Sequence, residues 1–310
     1  MDTMVNNVRI AVVVVTYNRL DYLKKSLDLY INQSYKPQRI IVVDNCSLDG
    51  TADYLQEWAN VDENIPKKII FLDSNQGGSG GFYAGLEEAI KYTDIDWIWV
   101  ADDDAFPSHD AFEKANEFIN SHHDVISECS AICGVCKFDN HISSIQRSLL
   151  KRTILGVQEF PISEDYYGGK EYFEISLYSF VGTIMKKENL IKAGLPRKDF
   201  FIYQDDLEHS IRMGKTGKIY CVTSINIEHR DNVAPKNETS WRDYYATRNI
   251  IVMYKEHFDK WSLFWRIARR RLFALLTFNR CKIRVINAGI KDGKCGKMGL
   301  HKLYKPGWKI

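Results

Sequence analysis

In the stretch Trp97-Ile98-Trp99-Val100-Ala101-Asp102-Asp103-Asp104 an apolar run ends abruptly in three consecutive carboxylates. Side chains alternate along a strand, so Asp102 and Asp104 are expected on one face and Asp103 on the other, with the outer pair converging on one cation beyond the strand's end. Oxygen donors of this kind suit Mg2+ or Mn2+, which commonly keep one or two protein carboxylates and leave the other positions to water and phosphate oxygens. An isolated Asp triplet also fits a solvated acidic turn in which Asp103 caps the next helix. The surroundings decide between the two.

Upstream, residues 8–15 form an almost unbroken β-branched run, as in a parallel strand covered on both faces. Thr16-Tyr17-Asn18-Arg19 comes next, then an amphipathic segment over 20–31 with Leu23, Leu27 and Tyr30 at helical spacing. A second β-branched run, 39–43, leads into Asp44-Asn45-Cys46-Ser47-Leu48-Asp49-Gly50-Thr51. A helix over 52–58 and a third strand over 68–72 complete the opening of a doubly wound α/β unit, in which ligands sit beyond the carboxyl ends of the strands. After Asp73-Ser74-Asn75 comes Gln76-Gly77-Gly78-Ser79-Gly80-Gly81-Phe82, read as a loop before a helix resumes over 84–90. Its glycines allow a close approach to a ligand and expose backbone N–H groups near a helix start, where anions are favoured. The spacing matches neither the dinucleotide fingerprint nor the P-loop, and a plain flexible turn remains the competing reading.

Downstream, Ser108 or Asp110 is expected to cap a helix running towards Phe118 and Ile119. Residues 131–138 and 144–149 read as strands, 165–169 as a surface loop, 178–186 as a strand and 188–193 as a short helix ended by Gly194. An aromatic strand over 200–204 runs into Asp205-Asp206-Leu207-Glu208-His209, where a helix start would fix one carboxylate as a cap and leave the other for proton transfer. A strand over 219–227 ends near His229, open to the roles of metal ligand, proton shuttle or hydrogen-bonded surface histidine.

The 310 residues, 45% of them apolar, accommodate one large core or two fused lobes. Formal charge is only +2, but from Lys255 onward there are 15 Lys/Arg against 3 Asp/Glu, a net +12, whereas the preceding residues hold 27 against 37, a net −10. Such a tail is expected to touch something anionic or to fold back on the acidic body. No apolar run is long enough to span a bilayer and no signal segment is evident, so a cytoplasmic body is expected. Seven scattered cysteines fit reduced thiols; Cys129, Cys133 and Cys136 lack a fourth zinc ligand at recognisable spacing.

Taken together, residues 12–18, Val42-Val43-Asp44-Asn45 with Ser47 and Asp49-Gly50, the run from Asn75 to Phe82, the Asp triplet, Asp205-Asp206 with Glu208, and His229 resemble a family 2 inverting glycosyltransferase. The likeness covers about residues 8–250 and is greatest to galactofuranosyltransferases and rhamnosyltransferases. It implies an α/β GT-A fold over 1–250, with a nucleotide-binding half to about 106 and an acceptor-side half over 107–250, followed by a basic helical extension over 251–310. It further implies donor contacts from Thr16, Asn18, Arg19, Asp44, Asn75, Gly77, Gly78, Gly80, Gly81, Asp102, Asp103 and Arg248. Asp102, Asp104 and His229 would hold Mn2+ or Mg2+, Asp206 would be the general base and Asp205 its neighbouring acid. The Gly-Gly-x-Gly-Gly-Phe run is similar to the galactofuranosyltransferase version, which favours UDP-galactofuranose over dTDP-rhamnose. The polymerising members are longer and carry an additional N-terminal domain, so addition of one or a few residues to a lipid-linked saccharide is the expected activity.

Two other classes are weighed against this one. A metal-dependent nucleotidyltransferase would need a phosphate-gripping basic site near the N-terminal loops, where only Arg19 is available. A nucleic-acid binder is disfavoured because the basic tail lacks zinc-finger spacing or a basic recognition helix. Within the tail, Trp261, Phe264, Trp265, Ile267, Ala268, Leu272, Leu275 and Leu276 cover one broad helical face and Arg266, Arg269 and Arg270 lie opposite. That pattern fits a helix lying in an anionic membrane surface with arginine stems reaching headgroups, packing on the catalytic body being the alternative. A homo-oligomer also remains open.

Overall fold

The β-branched runs at the start of the chain form the middle of a large sheet. The computed structural model describes residues 7–61, 64–229 and 239–308. In it β1 (Ile10–Thr16), β2 (Arg39–Asp44), β3 (Lys67–Phe71) and β4 (Trp97–Asp102) are parallel, in the order β4-β1-β2-β3. The crossovers are α1 (Leu20–Ile31), α2 (Thr51–Ala59) and α3 (Gly77–Ala89). Every residue of β1 is buried, and alternate residues serve opposite sides: Ile10, Val12 and Val14 join one apolar core, Ala11, Val13 and Val15 the other. A strand covered on both faces has no reason to alternate polar and apolar residues, hence the continuous run.

The second half extends the sheet with mixed antiparallel and parallel pairings. Its elements are β5 (Ala105–Pro107), α4 (Ala111–Ser121), α5 (His123–Ser127), β6 (Cys129–Phe138), β7 (His141–Ile142), β8 (Arg147–Thr153) and β9 (Gly156–Pro161). They continue as β10 (Tyr172–Ile175), β11 (Leu177–Tyr178), β12 (Thr183–Lys186), α6 (Lys187–Ala193), α7 (Asp205–Gly214) and β13 (Lys218–His229). The whole order is β10-β13-β6-β12-β4-β1-β2-β3, with β5 on β13, β7 on β6, and a separate three-stranded sheet β11-β8-β9. Last come α8 (Trp241–His257), α9 (Lys260–Leu276) and α10 (Arg280–Cys295), with their own apolar core around Ile251, Tyr254 and Ile290.

Several expectations are corrected. The glycine run is no loop: it forms the first turns of α3, because Gly81 and Gly85 let that helix sit directly on the strands, where a Cβ would lie 2.4 Å from Val15 and Val13 side-chain carbons respectively. The strand expected over 178–186 is broken by a turn with Gly182 at φ +64°. The aromatic strand expected over 200–204 is an irregular segment after a short 3-10 turn, with Phe201, Tyr203 and Gln204 at positive φ. Residues 165–169 include a 3-10 turn with Tyr167 buried, and β8 begins only at Arg147. The divisions expected at 106/107 and at 250 fall inside β5 and α8.

Cys129, Cys133 and Cys136 are buried free thiols along β6, burial pushes Cys129 up to about 12, and among the described residues they join no group of converging metal-ligand atoms. The packing of α3 on β1 yields a first prediction. Gly85→Val puts branched carbon where Val13 and Val43 already sit and should lower the unfolding free energy by about 1–3 kcal/mol, measured by urea denaturation.

Candidate active site

Parallel register brings the decisive residues to one edge. Thr16 pairs with Asp44 and Val15 with Asp102, so β1, β2 and β4 end side by side. Beyond these ends lies a cleft of about 880 Å³, walled by β1, the start of α3, the Asp triplet and the segment before α7. Its volume suits a ligand of nucleotide-sugar size.

β4 stops at Asp102, and Asp103 and Asp104 occupy a turn rather than continuing the strand. The turn still separates them as expected: the Thr16 hydroxyl donates to Asp103 Oδ2 (2.7 Å), while Asp104 faces Asp102 and His229. Arg19 Nη1 donates to Asp104 Oδ2 (2.5 Å) and Asp103 Oδ1 (3.2 Å). Pairing of β13 with β5 sets His229 opposite Ala105, which brings His229 Nε2 to 3.5 Å from Asp104 Oδ1. Ligand atoms from Asp102, Asp104 and His229 all lie within 4.8 Å of one another. Two carboxylates and one imidazole fit a Mn2+ or Mg2+ ion that leaves positions for phosphate oxygens.

The electrostatics match that donor set. Burial, then the charges of Asp104 and Asp103, push Asp102 up to about 7. Burial also raises Asp103 to about 6 against the pull of Arg19 and Thr16. For Asp104 burial is outweighed by the His229 contact and Arg19, which hold it below its usual range.

The donor-side residues expected from sequence divide into two groups. Thr16, Asn18, Arg19, Asn75, Gly77, Gly78, Asp102 and Asp103 line the cleft. Asn18, at φ +52°, also ties two loops together, its amide donating to Ser47 Oγ and its Oδ1 accepting from the Leu48 amide. Gly77 requires glycine, with φ +72° and a Cβ that would fall 1.8 Å from the Phe201 carbonyl oxygen. Gly80 and Gly81 do not reach the cleft; they are interior to α3 and serve packing. Asp44 is buried and accepts from the Ser47 amide (3.0 Å), and it is its neighbour Asn45 that lines the cleft. Asn45 Oδ1 accepts from the Gln76 amide (2.8 Å) and its Nδ2 donates to the Gly77 carbonyl (2.9 Å), joining the β2 turn to the start of α3.

Asp205 and Asp206 open α7 and line the cleft from the other side. Asp205 is buried and is raised to about 6 by that burial, opposed by backbone N–H groups at the start of α7. Burial and then the charge of Asp205 raise Asp206 well above an ordinary carboxylate. Glu208 faces away: burial is outweighed by His257 and Arg212, and Glu208 is held down at about 2. Glu208, Glu256 and His257 form a second acidic cluster, but Arg212 and Arg197 already neutralise it.

Arg248 is corrected outright. Its guanidinium is buried and donates to the carbonyls of Gly299 (2.6 Å), Phe200 (2.9 Å) and Asp199 (3.3 Å), leaving it no approach to a donor. Asn249 Nδ2 reaches the carbonyls of Phe200, Ile202 and Tyr203 at 3.0, 2.9 and 2.8 Å. This pair on α8 therefore clamps the positive-φ segment that presents Asp205 and Asp206. The sequence reading gave no site role to Asn249, Asn45 or Glu159, of which Asn45 and Glu159 line the cleft. Asn45 was visible as the neighbour of Asp44; Asn249 and Glu159 carry no local signal.

The fold is the GT-A glycosyltransferase architecture, and the site sits at its strand ends. A family model described as Glycosyl transferase family 2 matches residues 11–191, more than half of the chain, and the chain belongs to that family. It is similar to galactofuranosyltransferase GlfT1 of Mycolicibacterium smegmatis, 27% identical over 69% of this chain and 69% of that protein. It is also similar to GlfT1 of Mycobacterium tuberculosis (strain CDC 1551 / Oshkosh), 29% identical over 66% of this chain and 64% of that one, so about a third of each relative lies outside the match. Among solved structures, GalNAc-T7 with UDP, GalNAc and Mn2+ superposes with a TM-score of 0.65 at 13% identity, covering 94% of this chain and 57% of that one. The mannosyltransferase PcManGT from Pyrobaculum calidifontis, in complex with GDP-Man and Mn2+, gives 0.57 at 15% identity, covering 93% and 88%. The enzyme is a galactofuranosyltransferase-like glycosyltransferase. Among the described residues no helix is long and apolar enough to cross a membrane.

Two predictions come from this geometry. A carboxyl whose folded pKa is raised withdraws stability as pH climbs from its unfolded value through the folded one. In metal-free protein Asp206→Asn should therefore raise the melting temperature more at pH 8 than at pH 5, by about 2–4 °C for each kcal/mol relieved, read by calorimetry. Arg248→Met should lower the unfolding free energy by at least about 2 kcal/mol, because buried carbonyls lose a charged donor. UDP affinity of the folded protein, measured by titration calorimetry, should stay near that of the parent.

Proposed function

We propose that the enzyme transfers galactofuranose from UDP-galactofuranose to a hydroxyl of a lipid-linked saccharide, with inversion, during assembly of a bacterial surface polysaccharide. The observation that carries the reading is one cleft lined both by the Asp102/Asp104/His229 group and by the raised pair Asp205/Asp206. Its support for the sugar is the likeness to proteins named galactofuranosyltransferase. The structures of relatives bearing Mn2+ with nucleotides support a divalent cation.

When bound at Asp102, Asp104 and His229, Mn2+ or Mg2+ supplies positive charge that stabilises the leaving diphosphate. The protein does the rest. Arg19, half-exposed beside Asp103 and Asp104, contributes a further cationic group at the same wall. Asn45 and Asn75 fix the start of α3 against the donor. Asp206 accepts the proton of the acceptor hydroxyl as that oxygen bonds to the anomeric carbon, and the electron pair of the broken carbon–oxygen bond departs with UDP. A single displacement inverts the centre. Burial and then the charge of Asp205 raise the proton affinity of Asp206, making it a stronger base than an ordinary carboxylate. We place the enzyme at the cytoplasmic face of the membrane, where its acceptor is anchored.

The test is a donor screen with UDP-galactofuranose, UDP-galactopyranose, UDP-glucose and dTDP-rhamnose on a lipid-linked acceptor, with and without chelator. Turnover with UDP-galactofuranose that a chelator abolishes is the expected result, and transfer from dTDP-rhamnose alone overturns the donor assignment. Asp206→Asn should lose about 100- to 10,000-fold in kcat while retaining donor affinity. Asp104→Asn should lose cation-dependent donor binding as well.

A further inference from the structure

The helix α9 is mounted the wrong way round for a soluble surface. Amphipathic helices ordinarily turn their apolar stripe to the core and their charges to water. Here Ser262, Arg266 and Ala274 are the buried residues, Leu263 and Ile267 are the apolar ones facing inward, and the Arg266 guanidinium lies over the Tyr254 ring at 4.3 Å. The outward stripe is Trp261, Phe264, Leu272 and Leu275, between 51% and 58% exposed, and Phe278 just beyond the helix is 89% exposed. The amphipathic face expected from sequence thus exists, but of the arginines expected to reach headgroups Arg266 packs inward, Arg270 is half-buried and Arg269, though exposed, contacts Gln158.

A cationic edge comes from elsewhere. Between α9 and α10 runs a groove of about 620 Å³ with an apolar floor that includes Leu275, Ile283 and Ile290 and a rim of Arg271, Lys291 and Lys294. We infer that the outward face of α9 and this groove form a lipid-docking surface that lies flat on an anionic bilayer, with the aromatic and leucine side chains among the acyl chains and the rim cations on headgroup phosphates. This deepens the proposed function by naming how the enzyme meets its anchored acceptor, and it rests on that reading only for its purpose. Charge complementarity selects the occupant. An apolar patch of this kind marks an interaction site, and residues 255–310 hold 15 Lys/Arg against 3 Asp/Glu. A second copy of the chain docking through the same face would oppose like charges across the contact, whereas an anionic bilayer satisfies both the stripe and the rim.

The experiment is co-sedimentation of the full chain, without donor or acceptor, with phosphatidylcholine vesicles with and without phosphatidylglycerol. Binding should need the anionic lipid and weaken as salt rises. Arg271→Glu/Lys291→Glu/Lys294→Glu should reduce the partition coefficient by about a hundredfold or more, at about fivefold per lost cation. Leu272→Glu/Leu275→Glu, at exposed positions, should abolish it while the melting temperature and UDP affinity stay at parental values. Equal sedimentation with both vesicle types, or no response to either variant, overturns the inference. So does a dimer in sedimentation equilibrium that Leu272→Glu/Leu275→Glu dissolves, since the face would then belong to a second copy. Because neither readout involves sugar transfer, a wrong donor assignment leaves this result standing and the reverse also holds.

Discussion

Five aspartates share one cleft, and their mutual repulsion in a partly desolvated site is the constraint around which the rest is arranged. Asp102, Asp103, Asp205 and Asp206 all have raised pKa values, with burial the leading cause in each. Such a collection persists only if the surrounding framework is rigid and opposite charge or donors are at hand. The framework is the parallel core, whose strands end in register. The compensation comes from Thr16, Arg19, His229 and the amides at the start of α7. The repulsion that remains at Asp102 and Asp104 is what a cation bound there would relieve.

The two sides of the cleft are held by different means. On the donor side the carboxylates sit at strand ends, where hydrogen-bonded neighbours leave little freedom. Asp205 and Asp206 instead come after a segment with three non-glycine residues at positive φ, a conformation that needs support from outside. Arg248 and Asn249 give it by binding successive carbonyls of that segment from α8. In turn α8 packs against α10, with Gly289 and Gly293 admitting the backbone of α8 at a distance no side chain would allow. The last helices are therefore part of the framework of the cleft as well as a surface of their own, and a boundary at residue 250 would cut through the element that holds the segment before Asp205 and Asp206.

Much of the site was legible because its signals are local. The β-branched runs, the helical spacing of Leu23, Leu27 and Tyr30, and carboxylates at the ends of apolar strands all report short-range preferences that the tertiary structure had no cause to overrule. The errors have a common origin. Whether Arg248 meets a phosphate or a set of carbonyls depends on residues some fifty positions away in either direction. Whether Asp44 or Asn45 faces the cleft depends on a one-residue turn of the backbone after β2. Gly81 looks the same in sequence whether it admits a ligand or a strand, and here it lets α3 pack on Val15 of β1.

By itself the sequence determined the doubly wound opening, the residue types available for metal and proton chemistry, and the amphipathicity of α9, since each is set by side-chain periodicity and by the polar residues that terminate apolar strands. Only the tertiary structure decided which carboxylates meet. His229 joins Asp104 because antiparallel pairing of β13 with β5 sets it opposite Ala105. Tertiary packing also decided which side of α9 faces water. A hydrophobic pattern names two faces but not their direction, and the inward one was chosen by the surface that α8 offered to receive it: the ring and hydroxyl of Tyr254, which take up Arg266.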